Sequence, residues 1–191
     1  MRVRLFVMLL ALTGSAYAKT ALLEHVRLQW RPTSELRLGV QEMSPVPIQF
    51  ETFQDVRINK EAIGENREDD QPKPVTTTDD VGGFVSTHMR ELFDHGGLKT
   101  VDSNAAVIIK GDVTQFFVRE TSTYKSEVAV HLTLVGTDGT TLWSGLASGA
   151  ATRFGRSYKL ENYYEVLSDA IVNTVSSMLQ SAEFQKALSQ R

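Results

Sequence analysis

His88 and His95 stand seven residues apart on one helical stretch and so share a face, where two imidazoles would make half of a metal site. A third ligand at metal spacing is missing, and no His-Glu-x-x-His run occurs among His25, His88, His95 and His131. Asp69-Asp70 and Asp79-Asp80 lack the spaced Asp-x-Asp-x-Asp-Gly order of a calcium loop, and read instead as a solvated acidic patch and a helix start. Ser148, in Gly145-Leu146-Ala147-Ser148-Gly149, falls inside a strand rather than on a Gly-x-Ser-x-Gly elbow. His131, on the polar face of the neighbouring strand, is its one conceivable base. The absence of cysteine removes thiol catalysis, thiolate-bound zinc and disulfides together. No glycine loop of the Walker or dinucleotide type is present. Acid pairs such as Asp112 and Glu127, on adjacent strands, escape motif logic altogether. The residues therefore predict no metal, no cofactor and no catalytic group.

Arg153-Phe154-Gly155-Arg156-Ser157-Tyr158-Lys159 is the stretch richest in contact-making types, with three cations and two aromatics in seven residues. In an acidic protein this local reversal of charge suits an anionic group, such as lipid phosphate or the carboxylates of a partner. The opposing reading packs Phe154 and Tyr158 under a helix and leaves the cations in solvent. Arg153, Phe154, Arg156, Tyr158 and Lys159 are the candidate partner-binding residues.

The elements that position this turn are legible from Ala105 to Phe154, which reads as three consecutive strands. Val128, Val130, Leu132 and Leu134 alternate with Ala129, His131 and Thr133, a period of two that buries one face. Gly136-Thr137-Asp138-Gly139-Thr140 then supplies a hairpin, with Asp-Gly providing the positive φ angles. On the third strand Trp143, Gly145, Ala147, Gly149 and Ala151 share a face small enough to admit a helix. Val107-Ile108-Ile109, apolar on both faces, predicts a central strand. Val81, Phe84, Val85, His88, Met89, Leu92 and Phe93 form the stripe of a helix capped by Thr78 or Asp79 and closed by Gly96-Gly97. A second helix, Glu161 to Gln180, is continued through Phe184 and Leu188. Leu22 to Trp30, Leu36 to Gln41 and Ile48 to Ile58 suggest further strands, while polar residues 59–78 predict an exposed, mobile loop. The expected fold is α+β: a mainly antiparallel sheet of about four to five strands with two helices packed on one face.

The first eighteen residues have the order of an export signal: Arg2 and Arg4, an apolar run from Leu5 to Leu12, then Ala16-Tyr17-Ala18 as cleavage site. That run is too short to span a bilayer, so no transmembrane segment is expected after cleavage. Residues 19–191 would form a single periplasmic domain, with no cysteine to carry a lipid. The chain holds 20 Lys+Arg against 23 Asp+Glu, two of the cations lie in the signal, and none is clustered enough to meet nucleic acid.

Several local words resemble the YajG-type family of small bacterial envelope lipoproteins. They are Phe53-Gln54-Asp55-Val56-Arg57 with the later Ile63-Gly64, Leu92-Phe93-Asp94-His95-Gly96-Gly97, Gly111-Asp112-Val113, and the helix from Tyr163 to Leu179. The resemblance spans about residues 22–188 and lacks the family's lipid-bearing cysteine. The architecture is also similar to auxiliary periplasmic components of envelope transport systems. This implies a soluble, non-enzymatic binding or assembly protein of the envelope. The alternative is a carrier for a small apolar or lipid-like ligand, held between helices and sheet beneath Trp143. Asp55 and Arg57, two apart on a strand, point to one side and are expected to pair or to bind the following loop.

Overall fold

A computed structural model describes residues 22–37 and 46–189. The expected signal (1–18), its cleavage point and much of the Leu36 to Gln41 strand lie outside the described residues. In chain order the elements are β1 (Ile48–Phe50), β2 (Gln54–Asp55), β3 (Ala62–Asn66), β4 (Lys73–Thr76), α1 (Val81–His95), β5 (Val107–Glu120), β6 (Thr123–Gly136), β7 (Thr141–Phe154), α2 (Leu160–Gln180) and α3 (Ala182–Ser189).

The fold is α+β, and its centre is the expected three-strand meander. β5, β6 and β7 pair antiparallel along their whole lengths, and Val128, Val130, Leu132 and Leu134 are fully buried. The hairpin between β6 and β7 closes with Gly139 N–H to Gly136 O (2.9 Å) and Gly136 N–H to Thr140 O (2.8 Å). Only Gly139 takes a positive φ, +82°; Asp138 instead accepts the Thr140 N–H at 3.0 Å. Both features belong to a three-residue loop with a glycine bulge, rather than a turn with two positive φ angles.

The sheet is larger and less antiparallel than expected, with seven strands in the order β4-β3-β5-β6-β7 and β1 and β2 also on β5. β1, β2 and β3 lie successively along one edge of β5, all parallel to it: Ile48 opposite Val107, Asp55 opposite Val113, Asn66 opposite Glu120. Parallel pairing requires a crossover, and α1 supplies it. The break between β1 and β2 has a packing cause. Phe53 turns into the core, its ring filling the space over Gly111 and its carbonyl pressed against Gly82 of α1.

Residues 59–78, expected as a loop, contain the β3–β4 hairpin. Ile63 and Val75 are fully buried, and several of the charges that make the stretch read as a loop are paired. Glu65 holds Arg67 (2.6 Å) and Arg119 (3.2 Å), and Lys73 holds Asp69 (2.5 Å). Such polarity is what an edge hairpin carries. Leu22 to Trp30 does not form a strand either. It meets β4 through a single bridge, Leu23 with Val75, and the segment then runs over the helices as an extended strap. Asp169 of α2 accepts from Thr33 and Ser34 N–H, and Ser168 Oγ accepts the Arg31 N–H at 2.9 Å.

The helix stripes pack as read. α1 is capped by Asp80, whose carboxylate accepts the Gly83 N–H at 3.0 Å, one or two residues later than expected. Asp79 is instead taken by the strap, accepting from Leu28 N–H and Arg27. The helix ends with Leu98 N–H on Phe93 O, Gly97 N–H on Asp94 O and Gly97 at φ +80°, the pattern of a Schellman cap. α2 lies under β7 and β6, and a third helix, α3, extends the layer. Phe184 of α3 meets both Phe93 and Trp143 edge-on.

Candidate functional site: the turn after β7 and the carboxylate beneath it

A β-bulge between Val113 and Gln115 shifts the inward face of β5 by one residue. Val107, Ile109 and Val113 point to the helices before it, and Phe116, Val118 and Glu120 after it. The shift delivers a carboxylate to the core: Glu120 has 0% exposure. Its Oε1 accepts the backbone N–H of Ser157 (3.0 Å) and Tyr158 (2.9 Å), and its Oε2 accepts the Tyr163 hydroxyl (2.7 Å). Tyr124 packs edge-on to Tyr163, and its hydroxyl accepts the Lys159 N–H at 3.3 Å. One buried acid thus ties the end of β5, the turn and the first coil of α2 together.

Desolvation pushes the Glu120 carboxyl upward, but hydrogen bonds from Asn66, Tyr124, Tyr158 N–H and Tyr163 outweigh it and hold the group below its ordinary value of 4.5. Asp55 is likewise held below 3.8, burial again opposed by the hydrogen bonds and charge of Arg57. Tyr163 moves the other way, raised by burial and by the Glu120 carboxylate. The lowered carboxyls contribute stability that is whole above their unfolded values and lost as pH falls through the folded ones. Tyr163 contributes stability that is whole below its unfolded value of 10.0 and is lost as pH rises beyond it. The urea midpoint is therefore expected to fall on the acid side below about pH 4.5 and on the alkaline side above about pH 10. Glu120→Gln should flatten the acid limb; an unchanged limb would remove Glu120 from that account.

The five turn residues separate into two groups. Tyr158 faces inward: at φ +46° it sits in a backbone region that side chains rarely adopt. Its hydroxyl donates to Pro74 O (2.8 Å) and accepts the Leu23 N–H (3.1 Å), so it braces strap and hairpin instead of facing a partner. Phe154, by contrast, is 89% exposed, so the reading that packs both aromatics under a helix holds for Tyr158 and not for Phe154. Arg153 pairs with Glu165 of α2, and Arg156 stands 3.6 Å from Glu68. The fold brings acids from distant sequence to two of the three cations, which offsets much of the charge reversal. Lys159 is exposed at the start of α2.

The other chemical candidates are dispersed. Asp112 lies opposite His131 and Glu127 opposite Phe117, so the acid pair is not brought together. His131 faces Leu146 across the β6–β7 ladder, with Ser148 opposite Ala129. His88 stacks on Trp30 at 4.2 Å and its Nδ1 lies 2.7 Å from a Glu91 carboxylate oxygen, while His95 Nδ1 lies 2.7 Å from the Glu91 carbonyl. Among the described residues no three His, Asp or Glu side chains converge as metal ligands, and no helix is long and apolar enough to cross a membrane. Beneath Trp143, Phe184 occupies the space at a ring separation of 5.4 Å.

Asp55 and Arg57 pair as their spacing predicted. Arg57 Nε and Nη2 donate to the two Asp55 oxygens (2.9 and 2.8 Å), and the remaining donors reach the carbonyls of Lys60, Ala62 and Phe116. Glu120 has no comparable signal in the sequence. Arg119-Glu120-Thr121-Ser122 reads as a polar strand end, and only knowledge of the bulge would place Glu120 inside.

No family model matches the sequence, and no curated protein matches it. Solved structures do. A Xanthomonas campestris protein of family DUF330 aligns at TM-score 0.57 and 11% identity, covering 78% of this chain and 91% of that one. A PelC dodecamer from Paraburkholderia phytofirmans aligns at TM-score 0.41 and 16% identity over 73% of this chain and 92% of that one. A minor lipoprotein from Acinetobacter baumannii gives 0.38 and 11%, over 78% and 94%. The first of these likenesses extends across nearly the whole partner structure, and the chain shares the fold of the DUF330 protein.

Proposed function

We propose that this chain is an exported, periplasmic envelope protein of the YajG type that works by binding or assembly and not by catalysis. The observation that carries the reading is Phe154, an almost fully exposed aromatic at the end of β7, where its backbone pairs with Thr123 and leads into a turn fixed from below by Glu120. A rigid, solvent-facing aromatic loses little freedom on contact and is the usual kind of interface anchor. Arg156 and Lys159 flank it, and because Glu68 and Glu165 offset much of the turn's charge, recognition there is apolar first and ionic second. The export signal read in residues 1–18 supports the envelope address.

The open groove of ≈ 570 Å³ between the β3–β4 hairpin and β5 has Arg57 and Glu65 as its charged lining residues, and both are committed to internal partners. That favours contact over chemistry at this place. The test is a photo-crosslinking amino acid at Phe154, introduced in the native host. Irradiation is expected to give a discrete adduct in the envelope fraction, absent when the probe replaces Glu51 on the far side of β5. No adduct, or recovery of the protein from the cytosol, overturns the reading.

A further inference from the structure

The two edges of the sheet are finished differently. β4, at one edge, carries Lys73 and Pro74 and is crossed by the strap, with Leu23 bridged to Val75 and Val26 N–H on Thr76 O at 2.8 Å. Lysine, proline and a covering segment are the usual protections against edge pairing. β7, at the other edge, has no lysine or proline, and among the described residues no strand or bridge pairs with its outer side, although the strap comes beside it at Arg37. From Thr141 to Thr152 it holds no charged residue and no proline, and neither does α2 beside it from Ala170 to Gln180. In a chain that is 23% charged, these two adjacent stretches carry no charge of their own, and Arg37 of the strap and Glu127 of β6 border them. Depletion of charge marks the centre of an interface.

The backbone groups that β7 leaves open can be identified. Ala129 O accepts the hydroxyl of Thr114 on β5, so the polar backbone of Ala129 faces β5. Ser148, directly opposite Ala129, must then turn its N–H and C=O away from β6. By the period of two, Leu146, Ala150 and Thr152 do the same. The Asn173 amide reaching Ala150 O at 2.8 Å from α2 agrees with that direction. An open groove of ≈ 370 Å³ lies between Ser148–Ala150 and the α2 flank at Asn173 and Ser177, with Arg37 of the strap and Glu127 of β6 as its charged lining residues.

We infer that the partner at this edge is a second copy of the chain, joined antiparallel through β7 about a twofold axis at Ala150. The strand is self-complementary in that register. Ala150 meets its own copy, Ser148 meets Thr152, and Leu146 meets Phe154. Leu146 and Phe154 are the two most exposed large apolar side chains of the meander, at 64% and 89%, and both lie on the open face of the sheet. Their positions four residues either side of Ala150 bring each onto the other. The same axis brings Asn173 and Ser177 of α2, with Arg37 of the strap beside them, towards their copies. A C2 contact of this kind needs one patch to match itself, and this one does.

The inference rests on the reading of Phe154 as a contact residue and names what it contacts. The test uses the absence of native cysteine. In purified protein from residue 19 onward, Ala150→Cys is expected to form an intermolecular disulfide on mild oxidation, because residues on a twofold between paired strands lie within disulfide reach. Lys110→Cys, on the same open face but two strands inward, should not. Sedimentation of the unsubstituted protein should give twice the monomer mass, and Ala150→Glu should give the monomer with an unchanged circular dichroism spectrum. A monomer in the unsubstituted protein, or equal crosslinking at both cysteine positions, overturns the dimer. Envelope adducts from Phe154 to a different protein, with a monomer in solution, would overturn this inference while leaving the proposed function standing.

Discussion

Replacing Arg57 with alanine is expected to cost about 3–5 kcal/mol of folding stability, the loss seen when one partner of a buried ion pair is removed. The guanidinium side chain is only 6% exposed, and it is shared between one carboxylate and three main-chain carbonyls. Its removal leaves Asp55 beside the core without a cation, and the oxygens of Lys60, Ala62 and Phe116 without a donor. The 56–61 excursion is held to β5 by these bonds more than by apolar packing, since Val56 and Ile58 are exposed. A thermal midpoint lower by roughly 10 °C is the expected reading for a domain of this size. Arg57→Lys should recover less than half of the loss, because an ammonium cannot grip Asp55 at two points while reaching carbonyls on the opposite side. The contrast between the two variants checks the mechanism: equal recovery with lysine would mean that charge alone is at work. A cycle with Asp55→Ala should show strong coupling, as the two side chains are in direct contact.

What could be read from the sequence were the features whose cause is local. β6 alternates over four buried aliphatic positions, α1 and α2 carry stripes at helical spacing, and Gly96-Gly97 announces a C-terminal cap; each was found where the pattern placed it. The misses have non-local causes. β1, β2 and β3 are only three, two and five residues long, and nothing within them says that they are successive partners of one strand fifty residues later. The β3–β4 hairpin is masked by charges that find partners on β5 and within the hairpin tip. Glu120 was invisible because a single extra residue near Thr114 decides which face it occupies. At the turn the richness in cations was legible, but Glu68 and Glu165, which offset them, come from elements that only the fold brings near. The same bulge therefore explains both the overlooked acid and the rigidity of the turn, since without inward-facing Glu120 the N–H groups of Ser157 and Tyr158 would have no buried acceptor.

Gly149→Ala is expected to disturb the packing of α2 on the sheet at a cost of about 3 kcal/mol, the upper part of the overpacking range. The small-residue face of β7 was read as room for a helix, and at Gly149 that room is used to its limit. A Cβ there would lie 2.3 Å from Thr174 N and 2.4 Å from Ala170 O, both main-chain atoms of α2 that no rotamer change can withdraw. The helix would have to lift off β7 as a body, loosening the contacts of Ala170, Ile171 and Val175 in the core. Gly149→Val should be worse still, with no refolding transition expected at ambient temperature. Gly139→Ala supplies the comparison. Its φ of +82° strains any side chain, yet nothing lies within 4 Å of the added atom, so its cost is the backbone term alone, about 1 kcal/mol. If urea titrations gave the two alanine variants equal losses, close approach of α2 would not be what fixes Gly149. A threefold difference would establish that α2 and β7 meet backbone to backbone. That contact sets how far the flank of α2 stands from the open edge of the sheet, and so how closely two such edges can approach.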